Sequence, residues 1–172
     1  MALVGISRTD TFTYVSNDDP CKRVAAKTQP APDGGAPILT GEKVTIIDDG
    51  ATRFKLGVLD VFLMGMIYDN STKITRGIDD SSQVDFKTAV NATNIETVRF
   101  GLLGWEGFKQ VGTNNDIAFV SEERIVMGRK YQAASDDMLN LLGIRLITEL
   151  ADQIKTASEV TKAEAKNSDT AS

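Results

Sequence analysis

The stretch that decides the fold is residues 135–158, SDDMLNLLGIRLITELADQIKTAS. Its large apolar residues and one alanine recur at spacings of three or four: Leu139, Leu142, Leu146, Leu150, Ile154 and Ala157. Such a stripe is typical of a helix that buries one face. Ser135 followed by two aspartates is a typical N-cap sequence, because the first helical turn favours negative charge. The pattern predicts a C-terminal helix that Gly143 divides into two pieces.

A shorter helix is predicted earlier in the chain. Its apolar stripe consists of Leu59, Phe62, Leu63, Met66 and Ile67, again at helical spacings. Asp69–Ser71 is expected to end this helix, and the polar residues 70–84 predict a loop.

A further helix is expected to begin at Asn91 or Thr93, because Glu96 stands three residues after Thr93, as in a capping box. Its predicted apolar face consists of Ile95, Val98, Leu102 and Trp105. Two glycines, Gly101 and Gly104, weaken this helix and are expected to stop it before Trp105.

Several other segments have the patterns of strands. Residues 3–15 indicate one interrupted strand, rich in β-branched and aromatic residues. Val44–Ile47 and Thr52–Leu56 flank an Asp-Gly turn signal and predict a hairpin. Two short apolar runs near turn residues predict strands at 117–120 and 125–127.

Between the first strand and the hairpin, residues 16–41 contain all 4 prolines and an Asp-Gly-Gly turn signal. This composition predicts a long exposed loop or arm. The fold class predicted from these elements is α+β, with a small N-terminal β-rich part of strands and a hairpin, followed by a helical C-terminal half. We expect one domain over residues 1–160 and a disordered tail over residues 161–172, where large apolar residues are lacking.

The composition excludes several common kinds of active site. The 172 residues contain no histidine, which rules out Ser-His-Asp and Cys-His nucleophile pairs as well as histidine metal ligands. The single cysteine, Cys21, cannot form an intramolecular disulfide or a multi-thiolate metal site. We therefore expect no cofactor, no metal and no enzymatic activity, and a reducing cytosol as the default compartment.

Charge and hydropathy bear on the partners. The net charge is −5 and no cluster of Lys and Arg is longer than a dipeptide, which argues against nucleic acid as the main partner. The most apolar run, Gly57–Tyr68, contains Asp60 and is shorter than the roughly 20 residues that a membrane-spanning helix needs. The first residues also lack the pattern of a signal peptide. We expect a soluble protein whose partners are neither nucleic acid nor membrane.

Four aspartate pairs invite comparison with two-carboxylate hydrolases and cation sites. They are Asp18-Asp19, Asp48-Asp49, Asp79-Asp80 and Asp136-Asp137. Each stands at a predicted turn or helix start, where aspartate is favoured for local hydrogen bonding. A structural role is the better interpretation, and a cation-dependent hydrolase or nuclease is the least favoured function class.

Candidate partner-binding residues come from two apolar features. Trp105 and Phe108 stand in the most aromatic stretch of the chain, where rings either anchor a core or form the hot spot of a partner surface. A core position is the better interpretation, since a chain with 6 % aromatic residues needs its rings inside. Leu146, Leu150 and Ile154 on the C-terminal stripe are likewise either core residues or part of a partner-binding surface.

Four groups of residues resemble proteins from the structural and tail gene clusters of tailed bacteriophages. The groups are Gly5–Thr11 with Tyr14 and Asp19-Pro20, then Thr52–Leu59, then Val98–Trp105 with Phe108, and finally Leu150–Ile154 followed by Glu164–Asn167. In this order the chain is similar to tail assembly chaperones. The resemblance implies a non-enzymatic protein of the bacterial host cytoplasm that binds the tape-measure protein or soluble tail-tube subunits and is absent from the finished particle.

A structural virion protein is the alternative that the residues leave open. It would be a head–tail connector, or a tail or head decoration component, with neighbouring virion subunits as partners. Residues 21–50 have no recognised counterpart in the resembled proteins, and the arm at 16–41 would then act as a strap between subunits. The sequence also leaves open a homo-oligomer.

Overall fold

The computed structural model describes residues 10–29, 38–76 and 82–159. In chain order the elements are β1 (Thr11–Tyr14), β2 (Lys22–Gln29), β3 (Ile38–Ile47), β4 (Arg53–Gly57), α1 (Val61–Arg76), α2 (Ser82–Gly101), β5 (Leu102–Glu106), β6 (Ser121–Val126), β7 (Arg129–Ala134) and α3 (Asp136–Ser158). Strands lead and a long helix closes the series, so the predicted α+β class is confirmed. Within the described ranges, no helix combines the length and apolar character that crossing a membrane requires. The predicted tail at 161–172 and the first part of the 3–15 strand lie outside these ranges.

An antiparallel three-stranded sheet in the order β1-β4-β5 forms one layer of the core. Phe54 on β4 lies opposite Trp105 on β5, and both side chains are buried. Leu56 and Leu102 are paired neighbours further along the same two strands and are also buried. This face of the sheet joins one core cluster with apolar side chains of all three helices. Phe12 and Tyr14 on β1 pack against the cluster, so the strand predicted over this part of residues 3–15 is confirmed.

The first two helices are longer than the sequence patterns predict. α1 continues through Asp69–Ser71, so the predicted stop there is wrong. α2 begins at Ser82 and not at Asn91, so the loop predicted for residues 70–84 is wrong in its described part, while residues 77–81 lie outside the described ranges. Polar side chains extend a helix that is already nucleated at little cost. The apolar patterns therefore identified only part of each helix.

The junction of α2 and β5 is governed by Gly101. α2 ends at this residue, before Trp105 as predicted, but Leu102 and Trp105 belong to β5 and not to the helix. A Cβ atom on Gly101 would stand 2.6 Å from Cδ1 of Ile154 on α3. The missing side chain is what permits α2 and α3 to approach this closely.

α3 confirms the predicted C-terminal helix. It begins at Asp136, directly after Ser135, and Gly143 interrupts it with φ 68° and ψ 158°. This backbone conformation is essentially restricted to glycine, so the predicted division into two pieces is also confirmed. Ser135 has the extended backbone of an N-cap, but its side chain makes no capping hydrogen bond.

One of the two late strands is present and one is not. Residues 117–120 form no strand, so that prediction is wrong. Isolated hydrogen bonds hold this segment: the carbonyl oxygen of Ile117 accepts from Trp105 Nε1 at 2.7 Å, and the backbone N–H of Ile117 donates to the carbonyl oxygen of Phe108 at 2.8 Å. The strand predicted at 125–127 overlaps β6, which pairs with β7, a strand that the patterns did not indicate. Met127 and Gly128, both at positive φ, form the two-residue turn between them.

The segment predicted as a loop contains a strand. β2 pairs antiparallel with β3, from Lys22 opposite Ile47 to Gln29 opposite Ile38, so the predicted loop over residues 16–41 is wrong at residues 22–29 and 38–41. Residues 30–37 lie outside the described ranges. The predicted hairpin of Val44–Ile47 with Thr52–Leu56 is also wrong, because β4 pairs with β1 and β5 in the core sheet and leaves β3 to β2.

Candidate functional site

The β2–β3 ribbon (Lys22–Gln29 with Ile38–Ile47) forms a two-stranded sheet separate from the core sheet. Among the described elements, each of its strands packs extensively only against the other. The register places Val44 and Ile46 on one face of the ribbon and Val24 and Ile47 on the other, and these four side chains are 36 % to 64 % exposed. A lone two-stranded sheet is only marginally stable in water. The ribbon therefore offers apolar side chains on both faces for contact with another surface.

Two ion pairs connect the ribbon strands across their width. Arg23 Nη2 lies 3.3 Å from Asp48 Oδ1, and Lys27 Nζ lies 2.8 Å from Glu42 Oε2. All four side chains are at least half exposed, so each pair is expected to stabilise the ribbon by at most about 1 kcal/mol. The backbone ladder is thus the main interaction that holds the two strands together.

Glu149 of α3 ties the chain just before the ribbon to the core. Its carboxylate accepts hydrogen bonds from Tyr14 Oη, Ser16 Oγ and the backbone N–H of Asn17, each at 2.7 Å. Burial alone would raise the pKa of Glu149, but the three hydrogen bonds outweigh it and lower that pKa. The pKa of the Tyr14 hydroxyl is raised, first by burial and then by the same carboxylate. An ionised Glu149 therefore anchors residues 14–17 to α3.

Two more side chains secure the base of the ribbon. Lys22 Nζ donates a hydrogen bond to the carbonyl oxygen of Val15 at 2.8 Å. The carboxylate of Asp19 accepts hydrogen bonds from the backbone N–H groups of Cys21 and Thr52, both at 2.8 Å. Asp19 thus links the segment just before β2 to the segment just after β3.

The two ends of the ribbon lie side by side. The backbone N–H of Asp48 donates to the carbonyl oxygen of Cys21 at 2.9 Å. The chain consequently enters and leaves the ribbon at one place, between β1 and β4. The ribbon is a self-contained insertion in the core sheet.

A cleft of about 320 Å³ opens at the base of the ribbon. Phe108, Leu142 and Leu146 supply apolar lining, and Arg145 forms an ion pair with Asp18 at 2.8 Å on the polar side. Phe108 and Leu146 are two of the partner-binding candidates, and both are half-buried. The fold brings them together although 38 positions separate them in the chain.

The third candidate, Trp105, lies in the core and does not line this cleft. Its side chain is 8 % exposed, and its ring centroid is 4.8 Å from that of Phe108 and 5.0 Å from that of Phe119. The ring also meets Phe54 edge to face. Trp105 is the centre of an aromatic cluster behind the cleft.

The remaining candidates, Leu150 and Ile154, are completely buried. The core-facing side of α3 also contains five other buried residues, and Leu146 lies at its edge. The five are Leu139 and Leu142 of the predicted stripe, and Met138, Ile147 and Ala151, which the stripe did not include. In the single chain this stripe is therefore core, apart from Leu146 and Ala157, which are half-buried. A partner could reach Leu150 or Ile154 only if α3 moved.

The aspartate pairs stand where their hydrogen bonds and ion pairs stabilise the fold. Three of their members form ion pairs: Asp18 with Arg145, Asp48 with Arg23, and Asp136 with Arg99. The hydrogen bond from Arg99 lowers the pKa of Asp136. Asp79-Asp80 lies outside the described ranges. Across residues 10–29, 38–76 and 82–159, no group of three or more Cys, Asp or Glu side chains is placed to hold a metal ion.

Sequence patterns did not indicate the contacts at the ribbon base. In the sequence, Glu149 is one of several charged residues on the polar side of a predicted helix. More than 130 positions separate it from Tyr14 and Ser16, so no local pattern indicates the contact. One indirect signal existed. Val44–Ile47 is a strand-like run that requires a pairing strand, but the sequence of β2 does not alternate in hydropathy and gives no sign of being that strand.

No protein-family model matches the chain, and comparisons with curated proteins and with solved structures find no match either. The features of the described structure that bear on function are the exposed ribbon and the cleft at its base.

Proposed function

We propose that this chain is a non-enzymatic assembly protein of tailed bacteriophages, acting as a tail assembly chaperone that binds the tape-measure protein or the tail-tube protein. The residue groups that resemble such chaperones support this role. One structural observation supports it independently: the ribbon presents apolar β-branched side chains outside the core. A protein that works by contact needs such a surface and no catalytic group.

In this proposal the ribbon holds an apolar segment of the partner. A segment that lies along a ribbon edge gains main-chain hydrogen bonds, and its alternate side chains pack beside Val24 and Ile47 on one face. The half-buried Phe108 and Leu146 in the neighbouring cleft would receive one further apolar side chain. Glu149 fixes the base of the ribbon, so less conformational entropy is lost when the partner binds.

Co-expression with the tape-measure or tail-tube protein of the same phage tests this role. The chain is expected to keep the partner in the soluble fraction and to co-purify with it. Val24→Lys adds a charge to a side chain that is 64 % exposed, so the core should stay intact while recovery of the partner falls about tenfold, equivalent to about 1.4 kcal/mol. Val111→Lys is the matched control, because Val111 is 98 % exposed and lies outside the ribbon. Equal partner recovery with both variants would contradict the role of the ribbon.

A structural virion protein is the second candidate, and the same projecting ribbon favours it. As a strap between subunits of a head–tail connector, or of a tail or head decoration, the ribbon would be covered permanently. Mass spectrometry of purified particles separates the two candidates. A chaperone should be absent or present in traces, whereas a structural protein should be present at stoichiometric copy number.

A further inference from the structure

We propose that the outer edge of β3 pairs with β3 of a second copy of this chain, so that two ribbons form one four-stranded antiparallel sheet. β3 is 10 residues long, and among the described strands it pairs only with β2. Its other edge therefore carries backbone donors and acceptors that no described strand uses. A two-stranded sheet becomes independently stable when further strands join it. This inference does not depend on the proposed function.

Charge distinguishes the outer edge of β3 from that of β2. β2 carries Lys22, Arg23 and Lys27 within six residues. If two β2 edges paired about a twofold axis between Val24 and Ala25, Lys22 would stand opposite Lys27 of the second copy. Lys27 is paired with Glu42 within its own ribbon, but Lys22 has no such ion pair with a described ribbon carboxylate, and like charges directly opposite destabilise a sheet. Residues 43–47 of β3 carry one charge, on Lys43. The β3 edge is thus the one at which a second copy can pair without repulsion between cations.

The side chains of β3 are complementary to themselves. An antiparallel pairing centred on Thr45 places Val44 opposite Ile46 of the second copy, and by symmetry Ile46 opposite the second Val44. Pairs of β-branched residues on adjacent strands stabilise sheets. Within the ribbon Val44 lies opposite Ala25 and Ile46 lies opposite Arg23, so the new pairs would form a central apolar patch of Val44 and Ile46 from both copies, extended by Ala25 and flanked by Arg23 on β2.

The charged residues that face each other in this pairing are already neutralised. Glu42 would lie opposite Asp48 of the second copy, but Glu42 is paired with Lys27 and Asp48 with Arg23 in each ribbon. Lys43 would lie opposite Ile47, where its methylene groups can cover the isoleucine while the ammonium group stays in water. The pairing therefore leaves no unneutralised like charges opposite each other.

Disulfide cross-linking of the full chain tests this geometry. In a Cys21→Ser background, Thr45→Cys places two thiols directly opposite each other across the twofold axis, at a Cα separation of about 4.5–5.5 Å that suits a disulfide. Mild oxidation is expected to convert this variant into a covalent dimer. Val24→Cys is the matched control, because Val24 is exposed and lies opposite Thr45 within the same ribbon, and it should cross-link at least about tenfold more slowly. Equal rates for the two variants, or no dimer from Thr45→Cys, would overturn the proposal.

Sedimentation of the purified chain gives a second, independent measurement. The unmodified chain is expected to show a concentration-dependent monomer–dimer equilibrium. Ile46→Lys should raise the dissociation constant at least tenfold, whereas Ile125→Lys, at a 69 % exposed position outside the ribbon, should leave it unchanged. A monomer at every concentration would contradict the inference. The sedimentation experiment contains no tail protein, so it can contradict the dimer without contradicting the proposed chaperone role, and the co-expression experiment can do the reverse.

Discussion

Replacing Leu150 with alanine is expected to destabilise the chain by about 3–4 kcal/mol. Leu150 is 0 % exposed and belongs to the core cluster that the described sheet and helices share. The substitution removes three carbon groups, which at about 0.8 kcal/mol each amounts to roughly 2.4 kcal/mol of transfer free energy. The cavity left behind adds to this cost, and leucine-to-alanine changes in cores cost about 2–5 kcal/mol in total.

Urea denaturation followed by the fluorescence of Trp105 measures this cost. Trp105 is the only tryptophan and is buried in the same cluster, so its emission reports on the core. An unchanged dependence of the unfolding free energy on urea would show that the midpoint shift reflects stability alone. Leu141→Ala is the control on the same helix, since Leu141 is 46 % exposed and its truncation should cost less than about 1 kcal/mol.

The two variants together decide whether the α3 stripe is core or partner-binding face. If Leu150→Ala cost no more than Leu141→Ala, Leu150 would not be packed inside the isolated chain. The stripe would then become the principal candidate for partner binding, and the assignment of Leu150 and Ile154 to the core would be refuted.

Three further substitutions probe the ribbon base and two special glycines. Folding lowers the pKa of Glu149, so its contribution to folding stability is complete above the unfolded-state pKa of about 4.5 and is lost as pH falls through the folded-state pKa. Glu149→Gln should therefore make the melting temperature fall less steeply as the pH is lowered. An unchanged dependence of the melting temperature on pH would contradict this. Gly143→Ala should lower the unfolding free energy, measured by urea denaturation, by about 1–3 kcal/mol, because an alanine is strained at these backbone angles. Gly65→Ala is the control and should be neutral or stabilising, since a Cβ there meets no atom and the position is helical. Equal effects of the two changes would argue against the kink at Gly143. Gly101→Ala should cost about 1–3 kcal/mol, because the added Cβ collides with Cδ1 and both Cγ atoms of Ile154. Ile154→Ala removes all three atoms, so a double-mutant cycle of the two changes should show a non-additive rescue, and strict additivity would refute the close approach.

The elements that the sequence predicts best are those with one buried face and one solvent face. α3 has a stripe of apolar residues over its whole length, a serine–aspartate start and a glycine at its kink, so its existence, start and division were all predictable. β1 and β4 carry Phe12 and Phe54 toward the core and were likewise visible as strands.

Val44–Ile47 was predicted as a strand and lies within β3, but β2 and its pairing with β3 were not predictable, because both faces of the ribbon meet solvent. A strand shows alternating hydropathy only when one of its faces is buried, and β2 has no such face within the described structure. The turn signal at Asp48–Gly50 was real, but the strands on either side diverge because Phe54 and Leu56 bury themselves in the core sheet. The Glu149 contacts were hidden for a different reason, since they join positions more than 130 residues apart.

Excision of the ribbon tests most directly the claim that it serves contact and not the core. Because Asp48 N–H bonds to the carbonyl oxygen of Cys21, a short Gly-Ser linker can replace residues 22–47 without displacing the ends. The shortened chain is expected to unfold cooperatively with nearly unchanged stability, and to lose retention of its tail-protein partner in the co-expression assay. Loss of the folded core, or retention of the partner at the level of the full chain, would contradict the account.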